Sequence, residues 1–123
     1  MAIILIVDDS WLTRRALIGM LSPEGYQFHE AQNGKEAIEM LKENRYECLI
    51  LDLLMPEMNG FDVLKEMKKL NVEIPVIVLT ADIQDTTKER CLALGAFGFA
   101  NKPPVEDILR LSVKKAVNNF KET

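Results

Sequence analysis

Cysteine and histidine are scarce in this chain, and an excess of positive charge is missing altogether. The 123 residues hold two cysteines and one histidine. There is no C-x-x-C and no Cys/His spacing that would hold zinc. Cys48 falls in an apolar stretch and Cys91 in a helical one, so both read as reduced, structural thiols. The net charge of -4 argues against non-specific nucleic-acid binding and gives no support for docking on an anionic membrane. No apolar run approaches the roughly 20 residues needed to span a bilayer. The N-terminus has neither a basic leader nor a small-residue cleavage site, and its apolar run stops at Asp8-Asp9. Linkers, internal repeats and low-complexity segments are absent too. These absences leave a cytoplasmic chain forming a single domain over residues 1–123. Its composition, 48% hydrophobic and 28% charged, is that of an ordinary globular protein.

What is present is an alternation of short apolar runs with amphipathic stretches. Ala2–Val7, Glu47–Asp52 and Pro75–Thr80 are short enough, and apolar enough, to be strands buried on both faces. Tyr26–Ala31 is more polar and reads as a strand nearer an edge, and Phe97–Ala100 as a short fifth strand. Between them, Ser10 caps a helix with Leu12, Ala16, Leu17, Met20 and Leu21 on one face, ended by Pro23 and Gly25. Asn33-Gly34 opens a second helix ending near Asn44, and Gly60–Leu70 forms a third, with Phe61, Leu64 and Met67 aligned. A fourth runs from about Gln84 to Leu94. The last, from about Pro104 to Phe120, carries the stripe Val105, Ile108, Leu109, Ser112, Val113, Ala116, Val117 and Phe120. Five βα units predict an α/β, flavodoxin-like (βα)5 three-layer sandwich. Its parallel sheet has the order 2-1-3-4-5, with the chain reversal between strands 1 and 3.

The strand ends carry the chemistry. Strand 1 ends in Asp8-Asp9, strand 3 in Asp52, strand 4 in Thr80, and Lys102 follows strand 5 at once. If strands 1 and 3 are neighbours, three carboxylates converge and repel, which raises at least one pKa unless a cation intervenes. Mg²⁺ takes one or two carboxylates together with water and a phosphate oxygen. One carboxylate is then left as nucleophile, and Asp52, alone at the end of the central strand, is the candidate. Lys102 and Mg²⁺ would neutralise charge developing on a transferred phosphoryl group, with the Thr80 hydroxyl donating to one of its oxygens.

The runs V-D-D (Val7–Asp9), L-D-L-L-M-P-E-M-N-G (Leu51–Gly60), L-T-A (Leu79–Ala81), G-A-F-G-F (Gly95–Phe99) and N-K-P (Asn101–Pro103) follow in order along the chain. In this it resembles a response-regulator receiver domain of two-component signalling, of the stand-alone chemotaxis type. The resemblance implies a phosphoacceptor, not an enzyme, in which Asp52 takes a phosphoryl group from a sensor histidine kinase. It implies that Asp9 and Asp52 ligate Mg²⁺ directly, Asp8 through water, and Leu54 through its backbone carbonyl. It also implies a cis Lys102-Pro103 bond and a switch pair, Thr80 and Phe99. A monomer is expected, with a phosphatase among its possible partners.

Ending at Thr123, the chain has no output domain in this reading, so output passes to a separate protein: a flagellar motor switch component or, alternatively, a phosphotransferase in a phosphorelay. Leu111 lies opposite the apolar stripe of the last helix, on what is the output face in this family, and is expected to add an apolar contact there with Phe99. Two positions depart from common patterns. Leu54 cannot hydrogen-bond a hydrolytic water, whereas Asp82 can orient or repel one, which leaves the acyl-phosphate lifetime open. His29 is expected in a surface or cross-strand role. Three competing readings are weaker. A flavin carrier would need a Gly/Ser/Thr-rich phosphate loop where Asp8-Asp9-Ser10-Trp11 stands. A Mg²⁺-dependent aspartyl-phosphate phosphatase of the haloacid-dehalogenase type would carry D-x-D on its first strand. A phosphorylation-independent binding module would not need the whole set of site residues.

Overall fold

A computed structural model of the chain describes residues 1–82 and 84–122, the side chains of 121 and 122 aside. Five parallel strands alternate with five helices: β1 (Ile3–Val7), α1 (Trp11–Leu21), β2 (Gln27–Ala31), α2 (Gly34–Glu43), β3 (Cys48–Asp52), α3 (Gly60–Lys69), β4 (Val76–Thr80), α4 (Asp85–Ala93), β5 (Gly98–Asn101) and α5 (Glu106–Glu122). The sheet order is β2-β1-β3-β4-β5, as the pattern of apolar runs predicts, with the polar strand β2 at an edge. No helix among the described residues is long and apolar enough to cross a membrane.

The unbroken apolar runs are explained by the two covered faces. All five residues of β3 and of β4 are buried. Because side chains alternate across a strand, Leu5, Val7, Leu49, Leu51, Val76 and Val78 pack under α2, α3 and α4. Ile4, Ile6, Cys48, Ile50, Ile77 and Leu79 pack with α1 and α5 on the other face. Asp8 and Asp52 continue the second series, while Thr80 continues the first. The parallel register sets Phe99 opposite Val78, hence on the same face as Thr80.

Side-chain caps open three of the helices that follow strands. The Ser10 hydroxyl accepts from Thr13 N–H, and the Asn33 side chain accepts from Glu36 N–H. At α3 the bonding is reciprocal: Asn59 accepts from Asp62 N–H while the Asp62 carboxylate accepts from Asn59 N–H. Caps of this kind contribute about 1 kcal/mol each. The lone histidine is also accounted for. His29 Nδ1 lies 2.8 Å from the hydroxyl of the buried Tyr46, with the rings edge to face.

Two helix faces differ from the sequence expectation. On α1, Leu12 and Ala16 are exposed, and the inward positions are Arg14, Leu17 and Leu21. A periodicity count cannot assign an arginine to an inner face, and here polar acceptors at the sheet edge draw it in. Helix α5 begins at Glu106, two residues past the expected Pro104 start. Val105 and Ile108 are exposed, and the buried stripe is Leu109, Val113, Ala116 and Val117.

Gly60 is a position where a side chain has no room. A Cβ there would lie 2.9 Å from the Asp52 carbonyl oxygen and 2.9 Å from Leu53 Cα. Both are backbone atoms that cannot rotate away, so the clash outweighs the gain of roughly 0.5–1 kcal/mol that alanine brings inside a helix. Gly60→Ala is therefore expected to cost about 1–3 kcal/mol in urea unfolding, as overpacking does. An unchanged or raised midpoint would show that α3 can shift away from β3.

Candidate functional site: a carboxylate cluster at the sheet edge

Adjacent strands β1 and β3 bring their C-terminal carboxylates together. Asp8, Asp9 and Asp52 each place a carboxylate oxygen within 4.8 Å of the others. They are held very differently. Asp8 is fully buried and every polar group it has is engaged. Its N–H donates to the Ala31 carbonyl and its carbonyl accepts from Arg14 Nη1 at 2.7 Å. Oδ1 accepts from Ser10 N–H, and Oδ2 from Lys102 Nζ at 3.1 Å. Asp9 is exposed.

Asp52 is 2% exposed, yet only one of its oxygens is held. Oδ1 lies 3.3 Å from Lys102 Nζ and accepts a long bond, 3.4 Å, from Leu54 N–H. Oδ2 is buried without a hydrogen-bond partner among the described residues. An orphaned carboxylate oxygen in a group of three acids fits a hard divalent cation, whose ligands are oxygens. The residues present therefore suit Mg²⁺.

Burial raises the Asp52 pKa above the ordinary carboxylate range, and the neighbouring Asp8 charge raises it further; Lys102 and the Leu54 N–H only partly oppose this. For Lys102 burial pulls the pKa down, but the bond to Asp8 and the charges of Asp52 and Asp8 outweigh it, so the net shift is upward. The ammonium thus stays charged between two carboxylates. Its backbone is anchored as well, since Lys102 N–H donates to the Thr80 carbonyl at 3.0 Å. The Lys102-Pro103 bond is cis, as the resemblance implies.

Thr80 is 5% exposed, and its Oγ1 accepts from Asp82 N–H at 3.0 Å. The Asp82 carboxylate is occupied elsewhere. It accepts from Gln84 N–H and, at 2.6 Å, from the Thr87 hydroxyl, which ties it to the start of α4. The Thr87 bond, then the Gln84 bond, hold its pKa below the usual value. Leu54 is 72% exposed. The loop carrying it turns through Glu57, whose φ of 67° is left-handed. Phe99 is partly buried, with Lys88 Nζ 5.2 Å from its ring centroid. Leu111 is exposed on α5. A groove of about 760 Å³ between the α3–β4 connection, the α4–β5 connection and the end of α5 lies at the opposite edge of the sheet, remote from these groups.

Reasoning from the sequence passed over Arg14 and Glu30. Arg14 Nε donates to Glu30 Oε1 at 3.0 Å, and Arg15 Nη2 is 3.3 Å from Glu30 Oε2. The only signal was an arginine one turn beyond Ser10, on a helix whose other charged residue sits beside it.

Ionising Asp52 in the folded protein is opposed by burial and by Asp8, which gives a signed prediction. A carboxylate with a raised folded-state pKa binds its proton more tightly folded than unfolded. Stability therefore falls as pH climbs from the ordinary carboxylate range through the raised value. In chelator, Asp52→Asn should be more stable than the unsubstituted protein at neutral pH and should lack that decline. Equal urea midpoints across the window would contradict the electrostatic account. Added Mg²⁺ should raise the midpoint of the unsubstituted protein and leave that of Asp52→Asn nearly unmoved.

Comparison with known proteins agrees with this geometry. The profile of the response regulator receiver domain matches residues 4–114. The transcriptional regulatory protein SrrA of Staphylococcus aureus is 41% identical over 110 residues. That stretch is 88% of this chain but 45% of SrrA, so the chain spans less than half the length of that relative. Among solved structures, a signal receiver domain of a histidine kinase from Syntrophus aciditrophicus is 35% identical with a TM-score of 0.89, covering 100% of this chain and 95% of that one. The chemotaxis protein CheY4 of Vibrio cholerae is 30% identical with a TM-score of 0.88, covering 94% and 98%. The receiver domain of the Francisella response regulator 1452 superposes with a TM-score of 0.91 at 27% identity, covering 97% and 98%. Fold, sequence profile and the acids at the β1 and β3 ends converge on one conclusion: the chain belongs to the response regulator receiver domain family.

Proposed function

We propose that the chain accepts a phosphoryl group from a sensor histidine kinase on Asp52 and, once phosphorylated, binds a downstream protein. The observation that carries this reading is the buried Asp52 carboxylate, one oxygen unpartnered among the described residues and the other beside Lys102. In the transfer an Asp52 oxygen bonds to phosphorus while the bond from phosphorus to the donor imidazole breaks, and the imidazole leaves with that electron pair. Asp8, Asp9, Asp52 and the Leu54 carbonyl are the groups we assign to holding Mg²⁺. When bound, that ion offsets the negative charge of the phosphoryl oxygens. Lys102 supplies the second positive charge, and Thr80 turns its hydroxyl from the Asp82 N–H toward a phosphoryl oxygen. Asp8 makes a poor nucleophile because both its carboxylate oxygens already accept hydrogen bonds. This weighs against the phosphatase reading with its first-strand nucleophile.

Phosphorylation then acts by population shift between two packings. Thr80 and Phe99 share a sheet face with α4. Inward movement of Thr80 opens space for Phe99, over whose ring the Lys88 ammonium lies 5.2 Å from the centroid. We assign the output surface to α4, β5 and α5, with Phe99 and Leu111 as its apolar contacts. Leu92 on α4 and Leu111 on α5 are 49% and 54% exposed, which gives a partner apolar area to bury.

For the downstream partner we propose a chemotaxis-type role, with a flagellar motor switch component as target. Support comes from the likeness to CheY4, 98% of which the match covers. The same receiver fold occurs in a histidine kinase and in a transcriptional regulator. A phosphotransferase in a phosphorelay is the second target these relatives admit.

Incubation with Mg²⁺ and acetyl phosphate should add one phosphoryl group, located at Asp52 by mass spectrometry and lost in Asp52→Asn. Label on any other residue, or label persisting in that variant, would sink the proposal. With beryllofluoride as mimic, the treated protein should capture from lysate a partner that the untreated protein does not. Leu111→Ala and Phe99→Ala should each weaken that capture about tenfold or less, as single apolar contacts do. If only Phe99→Ala does so, Leu111 is no part of the surface.

A further inference from the structure

Arg14 is the one buried basic side chain among the described residues, and it is spent on a backbone carbonyl beside the acids. After Val7 the β1 ladder runs out. Asp8 N–H still donates to Ala31, but no strand residue supplies a donor for the Asp8 carbonyl. Arg14 Nη1 fills that place at 2.7 Å, in a buried bond. The Asp8 carbonyl belongs to the peptide unit that joins Asp8 to Asp9, so fixing it fixes the direction in which the chain delivers Asp9. The guanidinium is in turn held by Glu30 Oε1 at 3.0 Å, and Glu30 stands opposite Ile6 in the β1–β2 register.

Two effects of this arginine on a cation site compete. Its positive charge would repel a cation, whereas its hydrogen bond orders the ligands. Glu30 offsets part of the charge at contact distance, while Arg15, more exposed, shares the same carboxylate. The charge of Arg14 is thus reduced at the carboxylates, whereas its directional bond to the Asp8 carbonyl is kept in full. Only a planar fork reaches both acceptors at once, which a lysine cannot reproduce.

We infer that Arg14, anchored by Glu30, is a positioning residue for divalent-cation binding, and that it acts by locking the Asp8–Asp9 peptide plane. The inference rests on the reading of Asp8, Asp9 and Asp52 as a Mg²⁺ site. It is a role for two side chains that touch neither the cation nor the phosphoryl group.

Mg²⁺ titration tests it, followed by the fluorescence of Trp11, which stands two residues after Asp9 and is the chain's single tryptophan, with calorimetry in parallel. Arg14→Met, which removes every donor, should weaken Mg²⁺ binding about tenfold or more, the range usual for partners behind metal ligands. Arg14→Lys, which keeps the charge and one donor, should recover part of that loss. Glu30→Gln should weaken binding by less than Arg14→Met, and it serves as the test if Arg14→Met does not fold. At saturating Mg²⁺ the acetyl phosphate labelling rate of each folded variant should return to that of the unsubstituted protein, so that the defect lies in the cation requirement and not in the transfer. Folded variants with lowered melting temperature but unchanged Mg²⁺ affinity would overturn the inference and reduce Arg14 to a packing role. Tighter binding in Arg14→Met would also overturn it, by showing that charge dominates. If the unsubstituted protein itself fails to bind Mg²⁺, it is the reading of the site that falls.

Discussion

The Lys102 ammonium, 3.1 Å from Asp8 and 3.3 Å from Asp52, is the interaction on which the rest of this structure turns. Two buried carboxylates this near each other repel; unit charges about 4 Å apart interact by roughly 4 kcal/mol at an effective dielectric constant near 20. One ammonium between them offsets much of that. It does so incompletely, since Asp52 keeps a raised pKa and an oxygen with no partner among the described residues. The carboxylates therefore carry more negative charge than Lys102 offsets.

Placing three residues so far apart in sequence within one contact requires the whole parallel sheet. β1 and β3 are neighbours only because the chain reverses at β2, and Lys102 comes into reach only because β5 closes the other side of β4. The strand alternation then divides the labour. Asp8 and Asp52 continue the series that packs with α1 and α5, whereas Thr80 and Phe99 belong to the face covered by α4. Chemistry on one side of β3 and β4 is thus separated by a single residue step from packing on the other.

The hydrogen bonds behind the site have the same economy. Asp82 is bonded through its N–H to Thr80 and through its carboxylate to the first turn of α4. Arg14 joins the end of β1 to β2. Each of these residues holds a segment next to the acidic cluster or to Thr80. At both places the residue sits where a strand has ended and backbone polar groups would otherwise go unpaired, which is costly when they are buried.

Much of this was legible in the residues. Apolar runs bounded by Pro, Gly and Asn marked four strands to within a residue, and β5 to within one at either end. Asp8-Asp9, Asp52, Thr80 and Lys102 stood out because charged or polar groups end strands that are otherwise wholly apolar. Local pattern decides such features, since alternation, caps and breakers act over a few residues. Helix faces were less legible. Leu12, Val105 and Ile108 have the spacing of core residues and are exposed, while Arg14 has the composition of a surface residue and is buried. Which face of a helix turns inward depends on the acceptors waiting on the sheet, and those come from other parts of the chain. The sequence by itself determined the elements and the kinds of group at their ends. Only the tertiary structure decided that Lys102 lies between Asp8 and Asp52, that the Asp82 carboxylate is bonded to Gln84 and Thr87, and that Arg14 completes β1, because burial and distance are set by strands that meet across the sheet.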